Sequence, residues 1–126
     1  MKCAKFWPVF VLLGLVLMAG CKRPAPPPAD PDKAREVLKT ALDAWRKGES
    51  ADSLRQRSPS ITAADPKWQD GHQLVRYEIG ESKIVGCDLQ CNVVLVLKAP
   101  DGKQSEQKAI FNVSTAPNLV VVRGEG

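Results

Sequence analysis

The chain has 126 residues, which allows one small folded domain and little besides. Apolar residues make up 44% of it and charged residues 25%, and these fractions exclude a disordered or fibrous protein. The formal net charge is +4, and removing Lys2 and Lys5 with a leader peptide would lower it to +2. Because acidic and basic residues are also interleaved, the charge does not predict a nucleic-acid partner.

The start of the chain has the pattern of an export signal. Residues 1–5 carry two lysines and no acid, and residues 6–19 are apolar apart from Pro8 and Gly14. A helix that spans a membrane needs about 20 apolar residues, and this run is shorter. A basic start, a short apolar core and small residues before a break predict a signal peptide over residues 1–20.

The end of this segment is more specific. Met18-Ala19-Gly20-Cys21 resembles the lipobox of bacterial lipoproteins, with Met18 in place of the usual leucine. The resemblance implies a diacylglycerol on the Cys21 sulfur, cleavage before Cys21 and acylation of the new amine. An ordinary cleaved signal and an uncleaved anchor remain alternatives. Lys22 stands where aspartate often marks retention at the inner membrane, so the resemblance favours the outer membrane, with the domain facing the periplasm.

A proline-rich linker follows the cysteine. Residues 22–30, KRPAPPPAD, have no apolar side chain larger than alanine or proline. Three consecutive prolines favour polyproline II geometry, which rises about 3.1 Å per residue. We therefore expect residues 21–30 to comprise a lipidated cysteine and a semi-rigid spacer that holds the folded domain, residues 31–126, away from the lipid.

The folded part begins with a predicted amphipathic helix. Asp30 is suited to the N-cap, Pro31 to the first helical position, and Gly48 to the stop after the helix. One apolar stripe recurs at helical spacing and indicates a face for core packing: Ala34, Val37, Leu38, Ala41, Leu42 and Trp45.

The next segment has shorter signals. Ser50 is suited to the start of a short second helix, and residues 60–64 are compatible with a brief edge strand. Asp65 and Pro66 predict a capped single turn that ends at Gly71. Trp68 lies within this turn, and we expect it to close one end of the core.

From Gln73 the apolar period changes to two, which indicates strands. Four runs follow, around residues 73–79, 92–99, 109–113 and 119–123, with a tight turn at 99–103. The second run is apolar on both faces near its centre, which predicts an inner strand of the sheet. Short connections favour an antiparallel meander. The sequence therefore predicts an α+β fold, with one N-terminal amphipathic helix packed on a four-stranded antiparallel meander sheet. This order is similar to the cystatin-like and NTF2-like groups, from which no catalytic residue can be transferred.

Cys87 and Cys91 form the one local motif whose side chains could form a covalent bond or bind a metal. In a continuous strand their Cα atoms would lie about 13 Å apart, too far for a disulfide. Because Gly86, Asp88 and Asn92 favour turns, we expect residues 86–92 to bend and a disulfide to join the two cysteines. The alternative is a metal-binding or thiol-redox module that uses both cysteines and His72.

The sequence predicts no enzyme and no cofactor. Only one histidine is present, and no serine lies in a nucleophile elbow or glycine-rich loop. Trp45 and Trp68 are either core residues or a pair that stacks on a ligand. We expect a lipid-anchored binding or scaffolding module whose partner is an unknown protein or envelope ligand. It would make contact through a sheet edge or a cleft near the two tryptophans. A small hydrolase or isomerase with an open pocket is a third possibility.

Overall fold

The computed structural model describes residues 29–124. The predicted signal peptide, the lipidation site at Cys21 and most of the linker lie outside the described residues. Between Ala29 and Gly124, no helix is long and apolar enough to cross a membrane.

Helix α1, Pro31–Arg46, forms where the sequence predicts it. The Asp30 side chain caps it by accepting hydrogen bonds from the backbone N–H groups of Asp32 and Lys33. The predicted apolar stripe is buried together with Ala44, and it packs on the sheet. A 3₁₀ helix, Ala51–Gln56, follows with Ser50 as its cap.

The sheet has five strands in the spatial order β1-β5-β4-β3-β2. The strands are β1 (Ile61–Ala64), β2 (Gln73–Val85), β3 (Asp88–Lys98), β4 (Gln104–Ser114) and β5 (Leu119–Gly124), and the short helix α2 (Pro66–Gln69) precedes β2. Strands β2 to β5 pair antiparallel, whereas β1 pairs parallel with β5.

The predicted four-stranded antiparallel meander is therefore wrong. Residues 61–64 do form a strand, but it lies beside the last strand of the chain and makes the sheet five-stranded and mixed. Alternation of apolar residues shows that a segment is a strand, but not which strand it pairs with or in which direction. The unpaired edge of β5 supplies hydrogen-bonding groups that β1 satisfies.

The bend predicted over residues 86–92 is also wrong. Gly86 and Cys87 alone turn the chain, and β3 starts at Asp88 opposite Val85. Gly86 has a φ of +66°, as the first position of a type II′ hairpin turn requires. Because two residues suffice for this turn, the polar residues after it lie in the strand.

Candidate functional site

The tryptophan pair lies inside the fold. The rings of Trp45 and Trp68 stack with centroids 5.1 Å apart and planes 6° from parallel. The Trp45 indole N–H donates to the carbonyl of His72, and the Trp68 indole N–H donates to the carbonyl of Glu49. Trp45 is only 2% exposed and Trp68 is partly buried, so the stacked rings join α1 to the end of the sheet.

The predicted disulfide between Cys87 and Cys91 is not formed. Cys91 is a free, fully buried thiol in β3, where it lies opposite Ser82 and Phe111. Cys87 occupies the hairpin turn four residues earlier. With an advance of about 3.3 Å per strand residue, the two positions lie beyond disulfide reach, because the chain does not bend between them.

The alternative metal or thiol site is not assembled either. His72 stands directly before β2, whereas Cys91 pairs with Ser82 far along the same strand. The start of β2 lies opposite Lys98, seven residues along β3 from Cys91, so these levels are about 23 Å apart. Among residues 29–124, no group of three histidine, cysteine or acidic side chains is placed to hold a metal ion.

Cys91 is also unsuited to thiol chemistry. Burial raises its pKa, and the Arg35 guanidinium opposes this effect only in part. A buried protonated thiol behaves as a small apolar side chain, because the thiolate is the reactive form. Cys91 is thus part of the core.

A polar contact joins the last turn of α1 to β2. The Tyr77 hydroxyl donates to the Asp43 carboxylate over 2.7 Å, and the Arg46 guanidinium lies over the Tyr77 ring. Burial, together with this hydrogen bond, raises the pKa of Tyr77 to about 12. The phenol therefore stays protonated near neutral pH and acts as a fixed donor that orients the helix.

An ion pair lies at the other edge of the sheet, beside β1 and β5. Asp65, 2% exposed, accepts from the Arg123 guanidinium over 3.0 Å and also caps α2 through the N–H groups of Lys67 and Trp68. Arg123 lies over the Phe111 ring. This carboxylate is satisfied on both sides, which is how a buried charge is tolerated.

The face of the sheet opposite α1 is not covered by any element between residues 29 and 124. Alternate residues of β3 point to it, and two of them, Val94 and Val96, are aliphatic. We call the concave part of this face the open-face groove. Its volume is about 720 Å³, and the residues that line it are Glu78, Gly80, Asn92, Val93, Val94, Lys108, Ala109, Ile110, Arg123 and Gly124.

Strand register gives this groove its chemistry. Glu78, Val94 and Lys108 lie in one row across three strands, so a carboxylate and an ammonium flank an aliphatic floor. Neighbouring strands are about 4.8 Å apart, which puts the backbones of Glu78 and Lys108 about 10 Å apart. The next row contains Asn92 and Ile110 and ends at Gly124, where the Asn112 side chain fills the space that a Cβ atom would take.

No protein family, curated protein or solved structure matches this chain.

The groove residues were not identified from sequence. Of the residues proposed there, Trp45 and Cys91 are buried in the core, and Trp68 packs against it partly buried. The one available signal was that β3 is apolar on both faces near its centre. This pattern predicts an inner strand, which β3 is, and it also leaves aliphatic side chains on the face that no element of residues 29–124 covers.

Proposed function

We propose that this protein is a bacterial lipoprotein anchored through Cys21, and that its α+β domain is a non-catalytic binding module. The anchor is supported by the Met18–Cys21 pattern and the linker after it. The binding role is supported by one observation, the open-face groove, in which unlike charges flank an aliphatic floor. A few placed polar groups around apolar surface are typical of recognition sites.

The proposal extends to compartment and ligand class. The domain would face the periplasm, with the outer membrane favoured, and would contact a partner protein or another envelope ligand. Between residues 29 and 124, the sole histidine has a buried Nδ1 with no hydrogen-bond partner, so no acid orients it as a catalytic base. This arrangement favours binding over acid–base catalysis.

The anchor predicts a modification at Cys21. In the full chain expressed in a double-membraned bacterium, we expect mass spectrometry to find an acylated N-terminal peptide that starts at Cys21. Cys21→Ser should abolish acylation and move most of the protein from the membrane to the soluble fraction. An unmodified Cys21, or one joined to Cys87 in a disulfide, would contradict the anchor. Cys91→Ser serves as the matched control and should remain acylated.

The groove predicts a contact that depends on charge. A photocrosslinking residue at Asn92 should capture one defined partner in living cells, whereas the same residue at the exposed Lys39 of α1 should not. Lys108→Glu should reduce this crosslink at least about tenfold, because a like charge across an interface costs several kcal/mol. A crosslink of equal yield in Lys108→Glu and the unaltered protein would argue against the groove as the binding surface.

A further inference from the structure

The tip of the β2–β3 hairpin is unusually apolar. We define the hairpin tip as Lys83, Ile84, Val85 and Gly86. Ile84 is 42% exposed and Val85 is 47% exposed, above the other exposed large hydrophobic residues, Val75 and Val122, at 37% each. Ile84 lies opposite Leu89, and Val85 lies opposite Asp88. Because neighbouring residues of a strand point in opposite directions, the two aliphatic side chains project from opposite faces of the hairpin.

The folded part of the chain starts at this same tip. The backbone N–H of Ala29 donates to the carbonyl of Cys87 over 2.8 Å, and Ala29 is only 4% exposed. Cys21 is eight residues upstream of Ala29. An extended chain advances at most about 3.5 Å per residue, so Cys21 lies within about 28 Å of the tip.

The other end of the domain lies far from Ala29, where the described chain begins. Strand β3 has 11 residues and runs from the hairpin turn to Lys98, a distance of about 33 Å. The tryptophan pair lies at that distal end, because Trp45 bonds to His72 at the start of β2. A lipid on Cys21 would therefore bring the hairpin tip to the membrane sooner than the distal end.

We infer that the hairpin tip inserts Ile84 and Val85 into the headgroup region of the membrane that carries the Cys21 anchor. The inference depends on the proposed lipidation. Amphipathic elements bury apolar side chains about 5–10 Å into this region. Lys83 attracts lipid phosphates, while Asp32 and Asp88 oppose them, so the aliphatic side chains are the main contact.

The consequence is a fixed orientation. One lipid anchor on a linker leaves the domain free to rotate, whereas a second contact at the tip holds the strands at a steep angle to the membrane. The open-face groove would then face sideways, at a set height above the lipid, where it is accessible to a partner in the same envelope space.

Tryptophan reporters test this contact in the lipidated full-length protein. Val85→Trp and Val75→Trp introduce the same residue at two exposed positions of one strand, at the tip and at the distal end. Each variant is reconstituted into vesicles of phosphatidylethanolamine and phosphatidylglycerol with brominated acyl chains. We expect several-fold stronger fluorescence quenching in Val85→Trp than in Val75→Trp. The native tryptophans, Trp45 and Trp68, contribute the same background fluorescence in both variants.

Folding and membrane attachment are checked separately. Vesicle flotation and mass spectrometry test whether the protein is lipidated. A protein that does not float with the vesicles contradicts the proposed lipidation and not the proposed insertion of the hairpin tip. Equal quenching of the two variants in floating protein overturns the tip inference, as does a tip that crosslinks to a second copy instead of being quenched. In the otherwise native chain, Ile84→Thr/Val85→Thr should remove the hydrogen-exchange protection that vesicles give to the tip, while Val75→Thr should not, since threonine keeps the β-branched shape.

Discussion

Replacing Asp65 by alanine is expected to lower the free energy of unfolding by about 3 to 5 kcal/mol. The carboxylate is 2% exposed and receives the Arg123 guanidinium, whose own side chain is 17% exposed. Removing it leaves a half-enclosed cation without its partner and takes the cap from α2. Both losses act at the junction of β1, α2 and β5, where the last strand is tied to the middle of the chain.

Two further variants separate these causes. Asp65→Asn keeps a side-chain oxygen for the α2 cap but removes the charge. Its free energy of unfolding should therefore lie between those of Asp65→Ala and the unaltered protein. Asp52→Ala is the matched control, because Asp52 pairs with Arg55 on the surface and its side chain is 83% exposed. It should change the free energy of unfolding by less than about 1 kcal/mol. Urea denaturation followed by circular dichroism measures all three, and equal effects of Asp65→Ala and Asp52→Ala would contradict the role of the buried pair.

Replacing Trp45 by alanine is expected to cost about 3 to 5 kcal/mol. The ring is buried, stacks on Trp68 and donates to His72, so alanine removes packing, an aromatic contact and a hydrogen bond together. The carbonyl of His72 also loses its indole donor. We expect Trp45→Ala to unfold at a much lower urea concentration than Val75→Ala, which truncates a side chain that is 37% exposed.

A milder change gives a readout if alanine prevents folding. Trp45→Phe keeps an aromatic ring but loses the indole N–H, so it should cost about 1 to 3 kcal/mol. Two stacked indoles couple in the circular dichroism spectrum, and this signal should disappear in Trp45→Phe and in Trp68→Phe alike. A variant at Trp45 that keeps full stability but loses a ligand would show instead that the pair is a binding platform.

Local signals in the sequence predicted local structure well. Asp30 and Pro31 predicted the start of α1, and the spacing from Ala34 to Trp45 predicted its buried face. Asp65 and Pro66 predicted α2 in the same way. Each of these features depends on residues within a few positions of one another, where side-chain and backbone chemistry acts without help from the rest of the fold.

The candidate site was predicted poorly because its parts are distant in sequence. Glu78 and Lys108 are 30 positions apart, and only the register of three strands puts them in one row. The Cys87–Cys91 disulfide failed for the opposite reason. Gly86 does lie in the turn, but Asp88 and Asn92 lie in β3, and the two-residue turn that the paired strands adopt leaves Cys91 inside that strand.

The sequence by itself determined the helix and the approximate positions of the strands, and it predicted a lipid attachment at Cys21. Capping, periodicity and short motifs each depend on residues that are neighbours in the chain. Only the tertiary structure decided that β1 joins β5 in parallel, that Trp45 stacks on Trp68 and that Asp65 meets Arg123. It also decided which face of the sheet is left without a covering element among residues 29–124. These features depend on which surfaces of distant segments meet, and that choice follows from burying the whole apolar set at once.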